Sequence, residues 1–197
     1  MKKIFITIFT VLATLQMSAQ LVSVDELSKI IKEPNLVVID ARPAGDYLKT
    51  HIDGAINIDA TSLSTNTPVE GTLKSASDLA NIFASSGVTP KNKVIIYCKT
   101  GVSAGRMYWV MKHIGFKDVS LLDGNMVGWF AARKPITKNA KKLAAASFTP
   151  TVNASMLATK DYVKSKINSS GTVLVDSRAA ADFEAGHIGN AISIPND

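Results

Sequence analysis

The sequence predicts an α/β fold: a parallel β-sheet with helices on both faces, followed by an incomplete second copy of the same pattern. Three observations predict it. Short apolar runs rich in β-branched residues, such as "NLVVID" (Asn35–Asp40) and "KVIIY" (Lys93–Tyr97), have the composition of strands buried on both faces. Segments with helix-start residues and apolar positions three and four apart alternate with them. The stretch starting at Val37, "VVIDARPAGDYLKTHIDGAINID", recurs without a gap from Val173 as "VLVDSRAAADFEAGHIGNAISIP".

Residues 1–20 precede this pattern. Lys2 and Lys3, the short apolar core Ile4–Leu15 and the small and polar "QMSAQ" have the order of a secretory signal peptide. The apolar core is shorter than the roughly 20 residues a membrane span needs. The mature protein is therefore expected to be periplasmic or secreted, with no membrane contact after cleavage. Ser23–Lys32 reads as a helix, with Ser23 and Glu26 as a capping box and Leu27, Ile30 and Ile31 on one face. Strand Asn35–Asp40 follows, then a short strand at Ile56–Ile58. Ser75–Gly87 starts with helix-capping residues and stops at a glycine. Strand Lys93–Tyr97, helix Val102–Gly115, strand and turn Val119–Gly124, and helix Asn125–Ala132 complete the pattern.

The basic, proline- and alanine-containing stretch after Arg133 breaks the periodicity, and residues 136–150 read as a solvated interdomain linker. The expected organisation is a signal peptide at 1–20, a first domain at 21–135, the linker, and a partial second domain at 151–197. In the repeat, Asp40, Arg42, Asp46, His51 and Ile56 meet Asp176, Arg178, Asp182, His187 and Ile192. Ser23 meets Thr159. About 48 residues after Pro150 are too few to close a core of their own, so truncation of the second copy is expected.

Composition narrows the function. Apolar residues make up 46% of the 197-residue chain, which suits a globular protein. The formal charge of +6 falls by two when Lys2 and Lys3 are removed, a mild excess that suits small anions and is no nucleic-acid signature. The single cysteine, Cys98, excludes a disulfide within the chain. It stands between a buried strand and a helix, in "VIIYCKTGVSAG" (Val94–Gly105). Amides at such a helix start point at a bound anion, and the same field favours a thiolate. Lys99 adds a cation next door. Gly101 fills the second position of a Cys-x-x-Cys dithiol, which excludes that redox pair. Ala104, six residues after Cys98, lacks the guanidinium a cysteine phosphatase uses to clamp phosphate. Sulfur transfer through a persulfide remains, beside an inert buried thiol.

"YCKTGVS" resembles the active-site loop of the rhodanese family, the thiosulfate and mercaptopyruvate sulfurtransferases. "DARPAGDYLKTHIDGAINI" (Asp40–Ile58) is similar to the family's N-terminal signature. "LLDGNMVGW" (Leu121–Trp129) is similar to its closing one, with Met126 where an aromatic is common. The resemblance implies a three-layer sandwich around a central parallel five-stranded sheet. It implies that Cys98 takes a sulfane sulfur from a small anionic donor, thiosulfate or 3-mercaptopyruvate, and passes it to cyanide or a thiol acceptor. Lys99, Thr100, Gly101, Val102 and Ser103 would form the cradle. Arg42 and Lys99 would hold the donor's anionic end, and Ser103 would bond the sulfur or the donor. No metal or organic cofactor is implied. In the familiar tandem members the C-terminal copy carries the cysteine; here the N-terminal copy does. A persulfide carrier and a non-catalytic binding module are the competing readings.

Other residues are expected to be structural. Asp40 caps or pairs beside Arg42. His51 and His187 read as hydrogen-bonded loop histidines, and His113 has no metal-binding company in the sequence. Trp109, Tyr108 and Phe116 read as core. Arg106 either reaches the anion or faces solvent.

Overall fold

A computed structural model describes residues 21–195 of the chain. The signal-peptide reading of residues 1–20 falls outside them. The chain divides into two compact units, with the boundary between Val152 and Asn153.

The first unit runs β1 (Leu21–Val22), α1 (Val24–Ile30), β2 (Leu36–Asp40), α2 (Ala44–Lys49), β3 (His51–Ile52) and β4 (Ile56–Asn57). A 3₁₀ turn (Ala60–Leu63) and a hairpin of β5 (Ser64–Thr65) and β6 (Thr72–Leu73) follow. Then come α3 (Ala76–Ser85), β7 (Lys93–Tyr97), α4 (Val102–His113), β8 (Val119–Leu122), α5 (Asn125–Ala131) and β9 (Ile136–Thr137). Five strands form one parallel sheet in the order β1-β8-β7-β2-β4. Every residue of β2 is buried, as its unbroken apolar run requires of a strand covered on both faces.

Alternation along the strands makes the three layers. Val37, Ile39, Val94 and Ile96 pack with Leu79, Phe83, Met107 and Val110 of α3 and α4. Leu36, Val38, Ile95 and Tyr97 point the other way and pack with Leu27 of α1 and Trp129 of α5. Helix starts are capped as the sequence implies. The Ser23 hydroxyl accepts from Glu26 N at 3.2 Å, and the Ser75 hydroxyl from Asp78 N at 3.1 Å.

Two elements, β1 and α2, were not read from the sequence, and one stretch lies otherwise than expected. The fifth strand, β1, is only two residues long and pairs Leu21 with Leu121. Helix α2 has six residues, and Pro43 at its start offers no side-chain cap. The stretch 136–150, expected to be a solvated linker, is laid onto the first unit. Ile136–Thr137 pairs antiparallel with β3, Lys141 N donates to Tyr47 Oη at 3.0 Å, and Ala146 N donates to Ala84 O at 2.8 Å. Leu143 and Phe148 pack against the core, Phe148 edge-on to Phe116. Backbone groups and two well-spaced apolar side chains dock this segment despite its lysines. Gly87 makes room for it, because a Cβ there would meet Leu143 Cβ at 2.5 Å.

The second unit holds a 3₁₀ turn (Ala154–Met156), α6 (Lys160–Lys166), β10 (Val175–Asp176), α7 (Ala180–Ala185) and β11 (Ile192–Ser193). The two helices and two strands follow α1, β2, α2 and β4 at the offset that separates Val37 from Val173. β10 and β11 pair in parallel, Val175 with Ile192, as β2 and β4 pair Ile39 with Ile56. None of the described residues of this unit is buried.

Candidate active site

Strand β7 ends at Tyr97, and Cys98 sits at the carboxyl edge of the sheet, 3% exposed. The chain turns through Lys99, Thr100 and Gly101 into α4. Gly101 has φ 119°, ψ −28°, a backbone that L side chains rarely adopt. That turn aims Gly101 N at Cys98 Sγ, 3.0 Å away. The thiol therefore faces an amide at the head of a 12-residue helix. Lys99, Thr100 and Val102 are exposed, Ser103 is half-buried, and Ala104 is fully buried in the core. A guanidinium could not be accommodated at the Ala104 position.

The turn between β8 and α5 closes over the loop. Gly124 and Asn125 both have left-handed backbones, φ 71° and 51°. This brings Asn125 Oδ1 to 3.0 Å from Cys98 N, which donates to it. Met126 N donates to Cys98 O, also at 3.0 Å. Both backbone polar groups of Cys98 are thus held by consecutive residues of one turn.

Behind Tyr97 lies a buried polar latch. Asp40 and Tyr97 are register partners at the ends of β2 and β7. Arg42 Nε donates to Asp40 Oδ1 at 2.9 Å and Nη2 to Oδ2 at 2.6 Å, while Nη2 also reaches Thr50 O at 2.7 Å. Tyr97 Oη donates to Asp40 Oδ2 at 2.8 Å and accepts from Ile52 N at 3.0 Å. The Arg42 guanidinium lies over the Tyr97 ring, 5.9 Å from its centre. Burial, followed by the charge of Asp40, pushes the Tyr97 phenol well above its ordinary value. Burial opposes the charge on Arg42, but the hydrogen bond and charge of Asp40 outweigh it and raise the guanidinium's pKa.

The sequence reading has Arg42 holding the donor's anionic end. The structure places its Nε and Nη2 on Asp40 and Thr50, with the side chain 11% exposed. It locks strand ends. The same device stands in the second unit, where Arg178 Nε and Nη2 bond Asp176 and Nη2 reaches Gly186 O at 2.7 Å.

The cation beside the loop is Arg106. It lines a pocket of about 480 Å³ with Val102 and Ser103 from α4, and with Thr61, Asn66 and Glu70 from the segments across from it. Its Nη2 donates to Gly71 O at 3.0 Å, which fixes the side chain. The structure thus gathers Cys98, Lys99, Thr100, Gly101, Val102, Ser103 and Arg106 at one end of α4, and it places Asp40 and Arg42 in the latch. His51 Nδ1 and Nε2 lie 2.7 and 3.2 Å from the carbonyls of Tyr47 and Asn139, and its ring stacks on Tyr47. His113 is buried and stacks on Trp109. Sequence reasoning missed Asn125 and Glu70. The only signal for Asn125 was an asparagine after glycine, a pair that favours left-handed backbone.

Comparison with known proteins agrees with this arrangement. The rhodanese-like domain model matches residues 23–132 and again 159–197. The 3-mercaptopyruvate sulfurtransferase of Escherichia coli K12 is 27% identical over 88% of this chain and 70% of its own. Bovine thiosulfate sulfurtransferase is also 27% identical, over 82% of this chain and 63% of its own. The crystal structure of SseA from Escherichia coli, described as a 3-mercaptopyruvate sulfotransferase with the rhodanese fold, superposes with a TM-score of 0.84. It covers 90% of this chain and 75% of its own at 27% identity. The chain belongs to the rhodanese-like domain family and is a rhodanese-type sulfurtransferase.

Proposed function

We propose that Cys98 is the sulfur-carrying nucleophile, and that the chain moves a sulfane sulfur from thiosulfate or 3-mercaptopyruvate to cyanide or a thiol. The observation that carries this reading is the 3.0 Å approach of Gly101 N to Cys98 Sγ at the head of α4. An N–H aimed at sulfur with a helix behind it favours a thiolate.

The Cys98 thiolate attacks the outer sulfur of thiosulfate. The donor S–S bond breaks, its electron pair leaves with sulfite, and Cys98 carries a persulfide. The lone pair of cyanide or a thiolate then takes the outer sulfur. The Cys98–sulfur bond breaks and the thiolate returns. Electrons balance across the two steps without an added oxidant or reductant. In this scheme the donor's anionic end lies against Arg106 and the Ser103 hydroxyl, two of the groups that line the 480 Å³ pocket. Lys99 adds an exposed cation on the loop. Residues 1–20 support export to the periplasm or outside the cell.

Steady-state kinetics with thiosulfate and cyanide test the scheme. Splitting the transfer at a covalent intermediate gives parallel double-reciprocal lines. Arg106→Ala raises the donor KM about tenfold, the cost of one contact of about 1.4 kcal/mol, with kcat within about twofold of the parent. Intersecting lines, or an unchanged donor KM in Arg106→Ala, would contradict the scheme.

A further inference from the structure

We infer that Asn125 is a positioning residue for Cys98, acting through the cysteine's backbone N–H. The inference rests on the reading of Cys98 as the sulfur carrier. Its geometric part stands on the structure alone.

Asn125 has φ 51°, a region where an asparagine is tolerated and a glycine is at ease. A residue needed only to make this turn would serve better as glycine. The asparagine side chain adds a contact that glycine cannot make, because its Oδ1 accepts from Cys98 N at 3.0 Å. With the amide oxygen facing that donor, Nδ2 is turned the other way, where it stands 3.4 Å from the place a Cβ on Gly101 would occupy. One carboxamide therefore bonds Cys98 N and lies beside the side-chain face of Gly101. Met126 N holds Cys98 O from the same turn. With the N–H and C=O of Cys98 both held, the two peptide planes that flank it have little freedom to rotate, and Sγ is kept over Gly101 N. The bond also takes up the Cys98 N–H, so the amides left for sulfur are those of the turn itself.

Asn125→Gly separates this role from a folding role. Glycine adopts φ 51° without strain, so the variant keeps the turn and its melting temperature falls by no more than the few degrees that one lost hydrogen bond costs. Loss of the clamp lowers kcat for sulfur transfer about tenfold, within the range a small misplacement of a reacting group produces, and leaves the donor KM within about twofold. Amide hydrogen exchange, read by NMR in the absence of any donor, reports the geometry directly. In Asn125→Gly the Cys98 and Gly101 amides both exchange faster, although residue 125 does not touch the Gly101 N–H. Parent-like kcat overturns the inference, as does unchanged exchange at Gly101. If the parent itself transfers no sulfur, the reading of Cys98 fails. The exchange result still decides whether Asn125 holds the thiol in place.

Discussion

Arg42 donates to both oxygens of Asp40 and to the Thr50 carbonyl, and the pair is almost wholly withdrawn from water. Removing one partner of such a pair leaves a buried charge uncompensated, at a cost of about 3–5 kcal/mol. Arg42→Ala is therefore expected to lower the unfolding free energy measured in urea by that amount while the folded variant keeps the parent's donor KM. A raised KM with unchanged stability would favour donor binding by Arg42 over the latch. The sequence could not separate these roles, because an arginine two residues after an aspartate serves either. Cys98 was legible for the opposite reason. It is the single cysteine, it ends an apolar run, and a glycine three residues on leaves few chemistries. Asn125 was not legible, because the distance from residue 98 to residue 125 closes only in the folded sheet.

Among the elements, the strands that pair in the middle of the sheet were readable from their apolar runs, and α1, α3 and α4 from their caps and spacing. Two-residue strands such as β1 and β3 carry no period, so only pairing defines them. The stretch 136–150 misled for a physical reason. Its lysines and alanines describe its solvent side, while Leu143, Phe148 and a few backbone groups decide where it lies. The loop at the head of α4 depends most on one residue. Gly101 needs φ 119°, lends its N–H to Cys98 Sγ and leaves only 3.4 Å for a Cβ beside Asn125. Gly101→Ala is expected to cost more than about 1 kcal/mol by chemical denaturation, as a side chain forced into such a backbone does. Its sulfur-transfer rate should fall at least about tenfold as the distorted turn moves the residue-101 N–H away from Sγ. A variant with parent-like stability and rate would show that the turn is not the constraint.

Across the whole chain, the pattern visible between Val37 and Val173 reappears in three dimensions. Thr159 caps α6 through Tyr162 N as Ser23 caps α1 through Glu26 N. His187 stacks on Phe183 as His51 stacks on Tyr47. Local hydrogen bonds and short pairings are written within a few dozen residues, so they form in both units. The buried sheet with helices on both faces needs strands from all along the first unit. Among the described residues only that unit has a buried core and a cysteine. The proposed chemistry therefore stands or falls on Cys98. Intact-mass measurement of the full chain after incubation with thiosulfate tests this most directly, with Cys98→Ser treated alongside and cyanide added afterwards to both. A gain of one sulfur atom in the parent alone, removed by cyanide, is the expected result. No gain with thiosulfate or with 3-mercaptopyruvate, or an equal gain in Cys98→Ser, would contradict it.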